Sequence, residues 1–263
     1  MRVQGTCSDR DESRKRGTGV KEGNVAEIWG IVGGMGPLAS AAFVRTVYES
    51  RRHARDQDYP RVILWSDPSY PDRTECLRRG DTERLVACMR LDAERLTAMG
   101  AARLVICCVT AHAVLPMLPA AIAERVLSLV DVAIAAIDEV AESHLMLCTE
   151  GCRDADVFQR HARWAAVADR VVWPEPGDHA AVHRLICALK SGASPARHAA
   201  QVCRLLDRYR VRRCVAACTE LHLVTDAVER MRGRPSLRAC VDPLRIAAAA
   251  IAEPVGVVHA LPA

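Results

Sequence analysis

Two segments of the chain carry a thiol and a hydroxyl where an apolar run ends. Leu104-Val105-Ile106-Cys107-Cys108-Val109-Thr110 and Cys214-Val215-Ala216-Ala217-Cys218-Thr219 each run into a cysteine with a threonine just after it. Cys108 and Cys218 stand 110 positions apart, about one small α/β domain. A free thiol titrates near about 8.5, and a helix amino terminus beside it lowers that value. One such thiol suits a nucleophile. Two on opposite walls of a cleft suit removal of a proton from one face of a carbon and delivery to the other. Thr110 and Thr219, with the free N–H groups of two helix starts, suit a carboxylate. A strand-end cysteine is otherwise a small buried hydrophobe, and the recurrence at equivalent places argues for chemistry.

The remaining cysteines do not form a metal site by spacing. The chain has 12, none in a CxxC knuckle, and the C-x-x-x-C pairs Cys148/Cys152 and Cys214/Cys218 lie 62 positions apart. Reduced thiols and a cytoplasmic setting are expected. The net charge of +4 and 4% aromatic content exclude a nucleic-acid partner by charge or stacking. No apolar run approaches the ~20 residues that cross a bilayer, so no membrane partner is expected. Among 36 basic residues only Lys15, Lys21 and Lys190 are lysine, which singles out Lys190 within the folded region.

The thiols need strands to carry them, and the pattern supplies these. Residues 1–24 are polar, charged and without apolar period, and are read as a disordered extension. Apolar runs predict strands at Ile28–Val32, Val62–Trp65, Leu104–Cys107, Val126–Val130, Leu145–Cys148, Val171–Trp173 and Arg213–Ala217. Amphipathic stretches predict helices after Gly36-Pro37, over Asp81–Met99, after Thr110 (shortened by Pro116), to about Ser143, over His179–Lys190, from Ser194-Pro195 to Tyr209, and after Asp242-Pro243. This alternation means an α/β fold with mainly parallel sheets flanked by helices. Two similar α/β domains related by a pseudo-twofold are expected, 25–125 with 231–263 and 126–230, with the active site in the cleft between them.

The residues then resemble a known family over nearly all of 27–252. Gly-Ile-Val-Gly-Gly-Met-Gly-Pro-Leu-Ala (30–39) is similar to the opening of the aspartate racemase branch of the cofactor-independent aspartate/glutamate racemase superfamily. Asp56-Gln57-Asp58 with Pro60 and Pro71-Asp72-Arg73-Thr74, then Cys108-Val109-Thr110-Ala111-His112, Cys218-Thr219-Glu220-Leu221 and Val241-Asp242-Pro243, resemble its later motifs in order. The resemblance implies an isomerase that interconverts L- and D-aspartate, or a close acidic amino acid, without pyridoxal phosphate or other cofactor. It implies Cys108 and Cys218 as the acid/base pair. It implies Thr110, Thr219 and backbone near Met35 and Gly36 on the α-carboxylate, Arg73 and Lys190 on the side-chain carboxylate, and a homodimer.

The chain departs from that pattern at four places. Val109 replaces an asparagine whose amide helps hold the substrate's polar head, and Ser66-Asp67 replaces an Asn-Asn pair. Cys148-Thr149-Glu150-Gly151-Cys152 stands where a Thr-rich segment is usual, and His222 follows Glu220-Leu221 in place of a small or apolar residue. His112 either poises the Cys108 side or caps and packs, and Cys107 is expected behind the sheet. These departures keep two alternatives open: a racemase, isomerase or cyclase acting on a modified acidic substrate, and a binder of an acidic metabolite. A nucleotide site is disfavoured. Gly34-Met35-Gly36-Pro37-Leu38-Ala39 fits G-x-G-x-x-A, but Asp67 comes 28 positions past Ala39 where about 20 is expected.

Overall fold

The computed structural model describes residues 27–233 and 239–253; the expectation for residues 1–24 lies outside them. The first half runs β1 (Ile28–Gly33), α1 (Pro37–Ser50), β2 (Arg61–Ser66), α2 (Arg73–Arg79), α3 (Glu83–Ala98) and β3 (Ala101–Ile106). Then come a 3-10 stretch (Thr110–Met117), α4 (Ala120–Ala123) and α5 (Leu129–Asp138). The second half runs β4 (His144–Cys148), α6 (Glu150–Asp154), β5 (Val171–Val172), α7 (Pro176–Lys190), α8 (Pro195–Arg208), β6 (Arg213–Ala217), α9 (His222–Arg232), β7 (Cys240–Val241) and α10 (Pro243–Ala252). The strands form two sheets, β2-β1-β3 and β5-β4-β6-β7, and every pairing is parallel. The fold is thus the parallel α/β architecture expected, with helices flanking both sheets.

Strand parity sorts the side chains. Val105 and Cys107 of the first half, and Met146, Cys148, Val215 and Ala217 of the second, join one central apolar cluster with residues of α1, α5 and α10. Leu104, Ile106 and Cys108 face the other way, toward α3. Cys214, Ala216 and Cys218 likewise face α7 and α8. Because side chains alternate along a strand, the shared parity puts Cys108 and Cys218 on corresponding faces of their sheets, while Cys107 turns into the core. Fully burying side chains such as Phe43, Ile31 and Phe158 contributes about 1.5–3 kcal/mol each, which makes the central cluster, drawn from both halves, the main tie between them.

Several local expectations need correction. Residues 126–130 are not a strand: Val126 makes one parallel bridge to Leu104, and Ser128 then accepts the Asp131 N–H and caps α5. The segment after Thr110 is 3-10 rather than α-helical, with Pro116 inside it. The helix Arg73–Arg79 had no apolar period to announce it. The closing segment does not belong to the first half alone. β7 pairs with β6 in the second sheet, whereas α10 packs on α1 and α5.

Candidate active site

The loop after β1 opens the site. Gly34 has φ +93, and a Cβ there would sit 2.1 Å from the Asp67 carbonyl oxygen, so only glycine lets the loops after β1 and β2 meet. Ser40 Oγ accepts the Gly34 N–H and donates to the Gly36 carbonyl, which sets the turn into α1. Asp67 is tied into its own loop. Its Oδ1 accepts the Ser69 N–H at 2.8 Å, and the hydrogen bonds from Ser69 hold its carboxyl below the usual range.

Arg73 begins α2, where Asp72 caps the helix by accepting the Glu75 N–H. Its guanidinium donates to the carbonyls of Pro71 (2.8 Å), Met35 (3.2 Å) and Tyr70 (3.4 Å). A guanidinium has five N–H donors, so two remain for a carboxylate. Tyr70 fixes this loop in turn: its hydroxyl donates to buried Asp92 on α3 at 2.7 Å, and Arg95 pairs with Asp92 from the other side.

Five charged or ionisable groups converge between the halves. Lys190, the last residue of α7, is pulled down by burial, but the charges of Glu220, Cys218 and Cys108 outweigh that and raise it. Arg73 opposes them from across the site. Cys218 is pushed well up, first by burial, then by the Glu220 charge, with Lys190 acting against both and Cys108 adding to them. The Cys218 thiol donates to Glu220 Oε2 at 2.8 Å. Glu220 Oε1 lies 2.8 Å from where a Cβ on Gly36 would stand, with Lys190 Cγ at 3.8 Å. Gly36, Lys190, Glu220 and Cys218 are therefore one contact group.

The threonines differ from one another. Thr110 and Thr149 share a hydrogen bond of 2.9 Å between their hydroxyls, joining the end of β3 to the end of β4. Thr149 also caps α6 by accepting the Cys152 N–H. Thr219 donates to the Cys107 carbonyl and to Glu220 Oε2, both at 3.4 Å. Thr149 was not anticipated, although Cys148-Thr149 repeats the Cys-Thr pair of 218–219 at a strand end and could have disclosed it.

The other anticipated residues play supporting parts. Val109 is buried in the central apolar cluster, among groups with which it needs no hydrogen bond. His112 Nε2 accepts the Leu129 N–H at 3.0 Å, so its Nδ1 carries the proton that goes to the Cys108 carbonyl at 2.9 Å. Burial lowers its pKa, and with both nitrogens on backbone the neutral ring ties the Cys108 turn to α5. His222 bridges Asp242 (Nδ1, 2.7 Å) and Thr46 (Nε2, 2.8 Å), linking α9 to α10 and α1. Burial alone would raise Asp242, but the His222 hydrogen bond and charge hold it low. A further cluster sits behind the site: Cys148 Sγ is 3.7 Å from His179 Nε2, and a hydrogen bond from Cys152, with His179, draws Cys148 down despite its burial. Among the described residues no group of His, Cys, Asp and Glu has the geometry to hold a metal ion, and no helix is long and apolar enough to cross a membrane.

Two parallel sheets flanked by helices, with Cys108, Cys218, Lys190, Glu220 and Arg73 near enough to act on one another's charges, define an α/β protein with one candidate site at its strand ends. The profile of the Asp/Glu/hydantoin racemase family matches residues 32–251, and the chain belongs to that family of isomerases. Similar solved structures include an aspartate racemase from Picrophilus torridus, 21% identical, covering 86% of this chain and 93% of that one with a TM-score of 0.71. An aspartate racemase homologue from Pyrococcus horikoshii OT3 is 20% identical, with coverage of 86% and 96% and a TM-score of 0.62. Glutamate racemase from Francisella tularensis is more distant, 13% identical with coverage of 85% and 78% and a TM-score of 0.54. At these identities the likeness is one of fold.

Proposed function

We propose that the chain racemises aspartate, or a close acidic amino acid, by two-thiol proton transfer at the α-carbon without pyridoxal phosphate. The observation that carries this reading is the meeting of Cys108 and Cys218, from equivalent strand ends, with Lys190 and Arg73 over one site. One thiolate removes the α-proton and the opposite thiol returns a proton to the other face. Thr110, Thr219 and the turn at Met35–Gly36 suit the α-carboxylate. The two free donors of Arg73 and the ammonium of Lys190 suit the side-chain carboxylate. Developing negative charge at the α-carbon is stabilised by these fixed cations and dipoles. The same reading takes the protein as a cytoplasmic homodimer.

The second substrate class is a modified acidic amino acid, suggested by the valine that stands at 109 where the resembling family has an asparagine. Proton NMR of L- and D-aspartate in D₂O tests the reading. Loss of the α-proton signal with the parent is expected, and Cys108→Ala and Cys218→Ala should each racemise at least about a hundredfold more slowly. Exchange with another acid alone would move the assignment to the second class. Ligand-induced stabilisation without exchange would make the protein a binder and end the racemase reading.

A further inference from the structure

Cys218 and Glu220 form an ionisable pair that Cys108 lacks. The thiol sulfur is 2.8 Å from Glu220 Oε2, and Thr219 adds only a 3.4 Å contact to the same oxygen. Glu220 is 1% exposed, and its Oε1 has no hydrogen-bond partner. That oxygen is packed against Gly36, 2.8 Å from where a Cβ there would stand. Among the described residues, no hydrogen bond to the Cys108 thiol is formed.

Two negative charges at 2.8 Å in a site this dry are not sustainable, so the pair must hold one proton. The thiol is the donor and Glu220 Oε2 the acceptor of the hydrogen bond between them, which puts that proton on sulfur. Lys190 on α7 supplies the balancing charge, with Arg73 on α2 beyond it, and the thiols of Cys108 and Cys152 complete the ionisable groups facing Cys218. We propose that Glu220 keeps the proton on Cys218, so that the resting protein presents Cys218 as the proton donor and Cys108 as the acceptor. Glu220 is a positioning residue that acts through Cys218. In a turnover starting from this state, the Cys108 thiolate takes the α-proton and the S–H bond of Cys218 breaks to give its proton to the carbanion. Cys108 is then the thiol and Cys218 the thiolate. A proton exchanged with solvent at each sulfur restores the start.

The assignment of donor and acceptor rests on the racemase reading, whereas the location of the proton does not. The test therefore uses no substrate. The full reduced chain is alkylated with iodoacetamide across pH 5–10, and labelling of Cys108 and Cys218 is followed by peptide mass spectrometry. In the parent, Cys108 should be labelled well ahead of Cys218 at pH 7. Glu220→Gln keeps the shape and removes the charge. It should lower the Cys218 midpoint by at least one pH unit, about a tenfold gain in labelling at pH 7. Glu220→Asp should retain the high midpoint. Lys190→Met, on a half-buried side chain, should move the Cys218 midpoint up and keeps the test alive if Glu220→Gln does not fold. A Cys218 profile unchanged by Glu220→Gln, or by Lys190→Met when the first does not fold, overturns the proposal. Shifted labelling in a protein that exchanges no acidic amino acid leaves the proton placement standing and removes the racemase reading.

Discussion

Gly151 offers a perturbation whose size can be worked from distances. It lies in α6, and a Cβ there would sit 2.6 Å from Thr74 Oγ1, 2.7 Å from Thr74 Cα and 2.8 Å from Thr74 Cβ. Ordinary contact is 3.4–4 Å, so α2 and α6 must part by about 1 Å, and because a backbone atom is struck no rotamer change relieves it. Overpacking of this kind costs about 1–3 kcal/mol. Alanine also favours the helix over glycine by up to about 1 kcal/mol, which is the smaller effect. Gly151→Ala should therefore destabilise by about 1–2 kcal/mol. The displaced helix carries Arg73, and Arg78 of α2 pairs with Glu150 (2.8 Å) and Asp154 (2.9 Å) of α6. A 1 Å misplacement at such a site costs up to about a hundredfold in rate. The control is Gly177→Ala in the first turn of α7, where a Cβ meets nothing within 4 Å. That change should be neutral or stabilising. Urea unfolding compares the two variants, and α-proton exchange measures the rate. Equal stability of the two variants would refute the reasoning that Gly151 is packed too tightly against Thr74 to admit a side chain.

Two further outcomes concern the framework. His144 on β4 is fully buried with both ring nitrogens unpartnered, and burial, then the charges of Arg213 and Arg170, lowers its pKa to about 4. Its folded value lies below the unfolded 6.5, so protonation favours unfolding. The penalty is absent above pH 6.5, grows as pH falls, and is complete below pH 4. The shift corresponds to about 3 kcal/mol, trimmed to about 2 by screening of the arginine charges. His144→Leu should regain most of this between pH 7.5 and 4.5 in urea titrations; a stability difference independent of pH would contradict it. Tyr70→Phe removes the 2.7 Å donor to buried Asp92 and should cost about 1.5–3 kcal/mol, with weaker substrate affinity because the Arg73 loop is released. An unchanged unfolding midpoint would show that Arg95 alone satisfies Asp92.

What could be read in the sequence was the strand pattern and the thiols it ends on. Arg213–Ala217 is a strand at those bounds because four consecutive apolar or small residues follow Arg213, and in the run Leu104–Cys107 the same alternation turns Cys107 into the core. The run 126–130 misled because a short apolar stretch has no period of its own. Only Ser128, two residues in, marks the helix start through its cap. The helix Arg73–Arg79 is polar on nearly every face, and it forms through its cap and its contact with α6. At the site, the residue types were legible and their partners were not. Nothing in Cys218-Thr219-Glu220 tells that the carboxylate folds back on the thiol two residues before it, and His222 is explained only by Thr46 and Asp242, 176 and 20 positions away.

The two halves match in their thiols and differ one step beyond them. Counting from each cysteine, Val109 and Thr219 occupy the next position, and Thr110 and Glu220 the one after. The threonines that look equivalent are therefore out of register by one residue, and the position matching Thr110 is held by a carboxylate. In the first half that position reaches outward to Thr149, leaving the thiol without a hydrogen-bonding acid among the described residues. In the second it turns back onto its own thiol, at 2.8 Å. A reaction that works from both faces of one carbon needs two thiols in opposite protonation states at its start. Identical surroundings would leave the proton shared at random between them. On the two-thiol reading proposed above, the carboxylate that stands where the first half has a hydroxyl breaks that symmetry, with Lys190 balancing the charge.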